Sequence, residues 1–106
     1  MSFHASAEHI RVDDGHILRA VLHNSSGEAV EAEFDLNTVL GNNDGNFEWG
    51  AADFAGSAEN ITFTLEGGDG VPILRAELRN AAGELGHRDI NLAERIGNND
   101  GQFYFE

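Results

Sequence analysis

Two runs of this chain concentrate amide and carboxylate side chains at one place: Leu40–Phe47, LGNNDGNF, and Ile96–Phe103, IGNNDGQF, fifty-six residues later. Asp-Gly between apolar stretches signals a tight hairpin turn, because type I′ geometry needs positive φ at both central residues. Conformation alone accounts for Asn-Asn-Asp-Gly. A direct ligand role for Asn42, Asp44, Asn98 and Asp100 stands beside it, and Asn43 and Asn99 are the more ligand-facing if the turns bind anything. Calcium is excluded: an EF-hand loop would need Asp where Leu40 and Ile96 stand, and lacks its twelfth-position Glu. The five histidines (His4, His9, His16, His23, His87) have no metal-ligand spacing. No nucleophile–base constellation emerges and the carboxylates are scattered, so the expectation is a non-enzymatic protein without metal or cofactor.

The turns belong to a larger duplication. Ile17-Leu18-Arg19-Ala20-x-Leu22-x-Asn24-x-x-Gly27-Glu28 returns as Ile73-Leu74-Arg75-Ala76-x-Leu78-x-Asn80-x-x-Gly83-Glu84. Phe3-x-x-Ser6-Ala7-Glu8-x-Ile10 matches Phe54-x-x-Ser57-Ala58-Glu59-x-Ile61 at an offset of fifty-one, and a Gly-rich insertion around Gly67–Val71 makes up the difference. Each copy therefore brings its own version of any surface site.

The elements that must position the turns also come in pairs. A meander of short strands, His9–Val12, Ile17–Leu22 and Ala29–Phe34, is punctuated at Asp13-Asp14-Gly15 and Asn24-Ser25-Ser26-Gly27. A two-residue period puts Leu18, Ala20 and Leu22 on one face and Arg19 on the other, and Leu74, Ala76 and Leu78 repeat it opposite Arg75 and Glu77. That is the pattern of half-buried antiparallel sheets. One helical turn follows in each copy, Asp35–Leu40 and Asn91–Ile96, opened by an Asx residue able to cap free amides; Asn91 and Glu94 have capping-box spacing. Leu36, Val39 and Leu40 lie three and four apart, as a turn pinned onto a sheet requires. Gly41 and Gly97 are expected to stop it. The alternating strands after the Asp-Gly turns carry Phe47 and Trp49, then Phe103 and Phe105, and Trp49 is expected to support the fold rather than stack on a ligand.

At 106 residues the chain makes one modest domain with one core, since a fifty-residue β unit alone buries too little apolar surface. Lys and Arg total 6 against 19 Asp and Glu, a formal net charge of −13, which disfavours nucleic acid and anionic membranes. There is no cysteine, and nowhere do eighteen apolar residues run together. The N-terminal MSFHASAEH lacks an apolar segment, so the expected location is cytoplasmic, without membrane insertion.

With the duplication, the two runs Asp35-Leu36 to Gly45 and Asn91-Leu92 to Gly101, and the Trp49 strand laid out, the chain resembles the cyanovirin-N homology family along its whole length, in a cysteine-free, fungal-type version. The resemblance implies an all-β fold in which two tandem repeats form two pseudo-symmetric halves by exchanging strands, each a triple-stranded sheet plus a β-hairpin, with short helical turns. One domain, 1–106, would divide into half A, about 1–38 plus 95–106, and half B, about 39–94. Where the founding member has two disulfides, this chain has Ala7 and Leu22, and Ala58 and Leu78. Apolar packing there replaces crosslinks ordinarily worth ~2–4 kcal/mol.

The resemblance further implies a lectin with one carbohydrate site at the outer end of each half. In half A the matching residues are Ser2, Ser6, His23, Ser25, Asn98, Asn99 and Asp100. In half B they are Asn42, Asn43, Asp44, Asp53, Ser57, Arg79 and Asn80. Small residues at Ala5, Ala52 and Gly56 stand where the family can use polar side chains, and half B keeps more polar groups. The expected partners are glycans or small oligosaccharides, of mannose type (α1→2-linked in the family's best-studied cases) or other small neutral sugars. The competing expectation is an acidic protein-interaction module indifferent to sugar. The chain is expected to be mainly monomeric, with a domain-swapped dimer accessible through Gly50-Ala51-Ala52-Asp53, where no proline stiffens the hinge.

Overall fold

The alternation seen in sequence becomes two triple-stranded antiparallel sheets and two hairpins. The computed structural model describes residues 3–5, 7–68 and 70–106. β1 (Glu8–Asp13), β2 (Ile17–His23) and β3 (Ala29–Asp35) form the first sheet, and β4 (Leu40–Asn43) pairs with β5 (Asn46–Trp49) as the first hairpin. β6 (Ala58–Glu66), β7 (Val71–Arg79) and β8 (Leu85–Asn91) repeat the sheet, and β9 (Ile96–Asn99) with β10 (Gln102–Phe105) repeats the hairpin. Short 3-10 turns at Phe3–Ala5, Leu36–Thr38, Phe54–Ser57 and Leu92–Glu94 join them. The duplication reaches the backbone. β1 and β6 each carry an irregularity in register, and at matching places His9 and Asn60 adopt φ of 54° and 52°.

The predicted faces are buried as expected. Leu18, Leu22, Leu74 and Leu78 are fully enclosed, with Ala20 and Ala76 between them. They belong with Phe3, Leu36, Leu40, Phe54, Leu92 and Ile96 to the apolar interior that both copies supply. Burying each such Leu or Phe stabilises the fold by ~1.5–3 kcal/mol, which neither copy could accumulate alone. Ala58 stands opposite Leu78 in the sheet register and packs against the core, so an apolar pair fills that position.

Aromatic contacts record the exchange of strands. Phe3 of the first copy meets Phe103 of the second edge-on at 5.2 Å, and Phe54 of the second meets Phe47 of the first at 5.8 Å. β9–β10 thus packs on the first sheet, against β3, and β4–β5 packs against β8 of the second. At the centre, Trp49 and Phe105, equivalent residues of the two copies, lie 5.9 Å apart, and the Arg95 guanidinium sits 5.0 Å from the Phe105 ring. Trp49 packs against the core at this seam and is only partly buried. The molecule is elongated, 50 × 26 × 22 Å.

The helical turns are 3-10 and shorter than the sequence suggests. Asp35 and Asn91 cap them by accepting the N–H of Asn37 and of Ala93; the cap is closed two residues along rather than at Glu94. They end at Val39 and Arg95, before the glycines. Gly41 has another purpose: it lies within β4, where a Cβ would fall 2.5 Å from that of Ala51. Only glycine lets the chain between the copies cross there.

Candidate functional site

Both Asn-Asn-Asp-Gly runs form the predicted turn. Asp44 and Gly45 have φ of 51° and 86°, Asp100 and Gly101 of 53° and 87°. The first Asn of each run fixes this shape by accepting the glycine N–H on its side-chain oxygen, Asn42 from Gly45 at 2.8 Å and Asn98 from Gly101 at 2.9 Å.

The same side chains clamp each turn onto the opposite copy. Asn42 donates its amide to the Arg79 carbonyl at 2.8 Å and to the Ser57 hydroxyl at 2.9 Å. Asn98 donates to the His23 carbonyl at 3.0 Å. Asp44 accepts the Ala81 N–H at 2.8 Å. Asp100 accepts both the N–H and the hydroxyl of Ser25, each at 2.8 Å, and these bonds hold its carboxyl below the usual carboxylate range. The receiving loops are themselves built by one residue each. Asn24 accepts the N–H groups of Ser26 and Glu28, and Asn80 those of Ala82 and Glu84. The result is a paired-turn platform at each site, with Asx side chains accepting from backbone donors of both the turn and the loop.

Of the half B residues named from sequence, the structure brings Asn42, Asn43, Asp44, Ser57, Arg79 and Asn80 to this platform. Asp53 joins its base through a bridge to Gly41, in left-handed conformation at φ 61°. Arg79 is engaged on both sides, by Glu59 at 2.7 Å and the Gly83 carbonyl at 2.9 Å. In half A the structure brings together His23, Ser25, Asn98, Asn99 and Asp100, while Ser2 and Ser6 lie outside the described residues. His23 occupies the place of Arg79, and its Nε2 stands 3.0 Å from Glu8, the counterpart of Glu59.

Engagement separates the polar groups into two classes. Asn42, Asp44, Asn98 and Asp100 spend hydrogen-bonding capacity inside the protein, which gives the conformational role its weight. Asn43 and Asn99 are exposed at the turn tips; Asn43 donates to Glu48 across its hairpin at 3.1 Å. Free donors and acceptors on a rigid frame suit vicinal hydroxyls, each of which gives and accepts a hydrogen bond.

One positioning residue escaped the sequence reading. Asn37 accepts the Asp53 N–H on its carbonyl at 2.9 Å and the Ala55 N–H on its side-chain oxygen at 3.1 Å, fastening the segment between the copies. Its partner Ala93 in the repeat is buried and apolar. That difference between otherwise matching copies was the available signal.

Comparison with known proteins agrees with this geometry. Residues 3–104 match the CVNH domain. The cyanovirin-N homolog of Neurospora crassa is 45% identical over 97% of this chain and 96% of its own. The NMR structure of the Gibberella zeae CVNH superposes with a TM-score of 0.92 at 48% identity, covering 97% of this chain and 95% of that one. Microvirin, solved as a mannobiose complex, superposes with a TM-score of 0.88 at 26% identity over 99% of this chain and 98% of its own. By fold, duplication and sequence alike, the chain belongs to the cyanovirin-N homology family, as a cysteine-free member close to fungal relatives.

Proposed function

We propose that this protein is a non-enzymatic lectin that binds mannose-type or other small neutral sugars at one or both paired-turn platforms. The observation that carries the reading is the double clamp. Each Asn-Asn-Asp-Gly turn is locked to an Asn-x-x-Gly loop of the other copy, leaving rigid, outward polar groups at equivalent places. A preorganised frame lowers the ordering cost that makes shallow polyol binding weak. The mannobiose complex of microvirin supports the choice of sugar. The halves follow the exchange of strands, half A as about 1–38 plus 95–106 and half B as about 39–94.

Each platform binds weakly alone, and two on one chain raise avidity for branched glycans wherever both can engage. Half B is the stronger, with Asp53, Ser57, Arg79 and Asn80 around its turn. A panel of neutral oligosaccharides titrated by calorimetry tests the reading. Saturable binding of mannosides, reduced by Asn43→Ala or Asn99→Ala, is expected. A salt-sensitive basic protein partner with no glycan response would instead establish the acidic interaction module.

A further inference from the structure

Beside half B's turn, two strand edges face each other without pairing. Among the described residues β5 pairs only with β4, and β8 only with β7. Arg88 of β8 donates to the side-chain oxygen of Asn46 on β5 at 3.0 Å, spanning the gap. Below this bridge runs a cleft of about 490 Å³, with Phe47, Trp49 and Ile90 among its apolar walls and Asp89 and Glu94 among its polar ones. Above it, Arg88 also lines a depression of about 300 Å³ shared with Gly45 of the turn and Asn80 of the clamping loop. Arg88 lines both hollows, and so stands between the proposed sugar platform and the Trp49 seam.

We propose that this cleft is an extended subsite of half B, receiving further pyranose rings of an oligosaccharide anchored at the Asn42–Asp44 turn. The inference rests on the lectin reading above. The cleft's size falls in the roughly 300–1,000 Å³ of small-ligand sites. Its lining selects the ligand class. An anion would meet Asp89 and Glu94, and a cation would meet Arg88. A neutral polyol can donate to the carboxylates and accept from the guanidinium while its C–H face lies on the indole.

Half A is built differently at the matching place. Phe34 stands for Ile90, its ring 6.4 Å from Phe103. Ala32 stands for Arg88 and Thr38 for Glu94. A bulky ring replaces the branched wall, and two of the three charged groups are gone, with Glu33 keeping a carboxylate in the place of Asp89. The duplication therefore makes one half a long site and the other a short one.

The test compares mannobiose with a linear mannotetraose of the same linkage, using calorimetry and amide and indole shift mapping on the intact chain. The tetrasaccharide is expected to bind roughly tenfold more tightly, the yield of one good aromatic contact, and to shift the Trp49 indole N–H, which mannobiose leaves unmoved. Ile90→Phe, copying half A, removes the gain and leaves mannobiose affinity unchanged. Glu94→Thr, at an exposed position, reduces the gain about threefold and decides the matter should the larger ring upset folding. Equal affinities with shifts confined to the turn, or a gain retained in both variants, would overturn the extended subsite alone. Absence of binding at the Asn42–Asp44 turn alone would overturn the extended subsite, and absence of neutral-sugar binding at both turns would overturn the lectin reading with it.

Discussion

Asp100 accepts the backbone N–H and the hydroxyl of Ser25 on a single carboxylate oxygen, at 2.8 Å each, although 75 residues separate the two. The equivalent pair in half B, Asp44 and Ala81, has only the backbone bond, because Ala81 has no hydroxyl. At the aspartate, half A therefore has one hydrogen bond more than half B, whereas in half B the Asn42 amide also reaches the Ser57 hydroxyl.

Acid should loosen the Asp100 clamp. Its carboxyl sits below the ordinary value in the folded state, so its stabilising contribution is complete above the unfolded value of roughly 4 and is lost as pH falls through the folded value. Asp35, held down chiefly by His16 at 2.9 Å, and Glu66, lowered to about 2 chiefly by Arg75, act in the same direction. The urea midpoint should fall steadily between about pH 5 and pH 2. Asp100→Asn should flatten that dependence, and parallel curves for wild type and variant would contradict it.

The turn glycines should differ in sensitivity. An L side chain at either position is strained by its positive φ, at a cost of about 1–3 kcal/mol. A Cβ on Gly101 would also fall 2.6 Å from the Val30 methyl, whereas on Gly45 its nearest neighbour is Asn80 Cβ at 3.2 Å. Gly101→Ala should therefore lower the melting temperature more than Gly45→Ala; thermal unfolding of the two variants checks the order.

Much of this was legible beforehand. Strand alternation marked Leu18, Leu22, Leu74 and Leu78 as core because a period of two has one interpretation when one face is buried. Asp44-Gly45 and Asp100-Gly101 announced their turn because few residues tolerate its backbone. The clamp was not legible. Whether Asn42 and Asp44 bind outward or inward depends on Arg79 and Ala81, far away in sequence, and no local pattern encodes that meeting. The same holds for the purpose of Gly41, which reads as a helix stop until the strand beside Ala51 is known.

Asn37 should govern assembly. Its two bonds fasten the segment that would have to open for the copies to exchange between molecules. Wild type is expected to run mainly as monomer in sizing chromatography. Asn37→Ala, leaving the Ala55 N–H without its acceptor, should raise the dimer fraction several-fold after refolding at high concentration, and an unchanged profile would count against the hinge role.

The exposed asparagines should separate binding from stability. Asn43→Ala and Asn99→Ala remove side chains outside the clamps, so each should leave the melting temperature within about a degree while weakening sugar binding in its own half. Their surface position makes a small stability effect the expectation. A large drop in stability would show that these residues serve the fold instead.

The most direct test of the central claim is a mannobiose titration followed by amide shift mapping on the wild-type chain. The expected result is saturable shifts centred on Asn42–Asp44 with Arg79 and Asn80, on Asn98–Asp100 with His23 and Ser25, or on both. Saturable shifts confined to other surfaces, or no shifts at all across neutral oligosaccharides, would contradict the assignment of the paired turns as sugar sites.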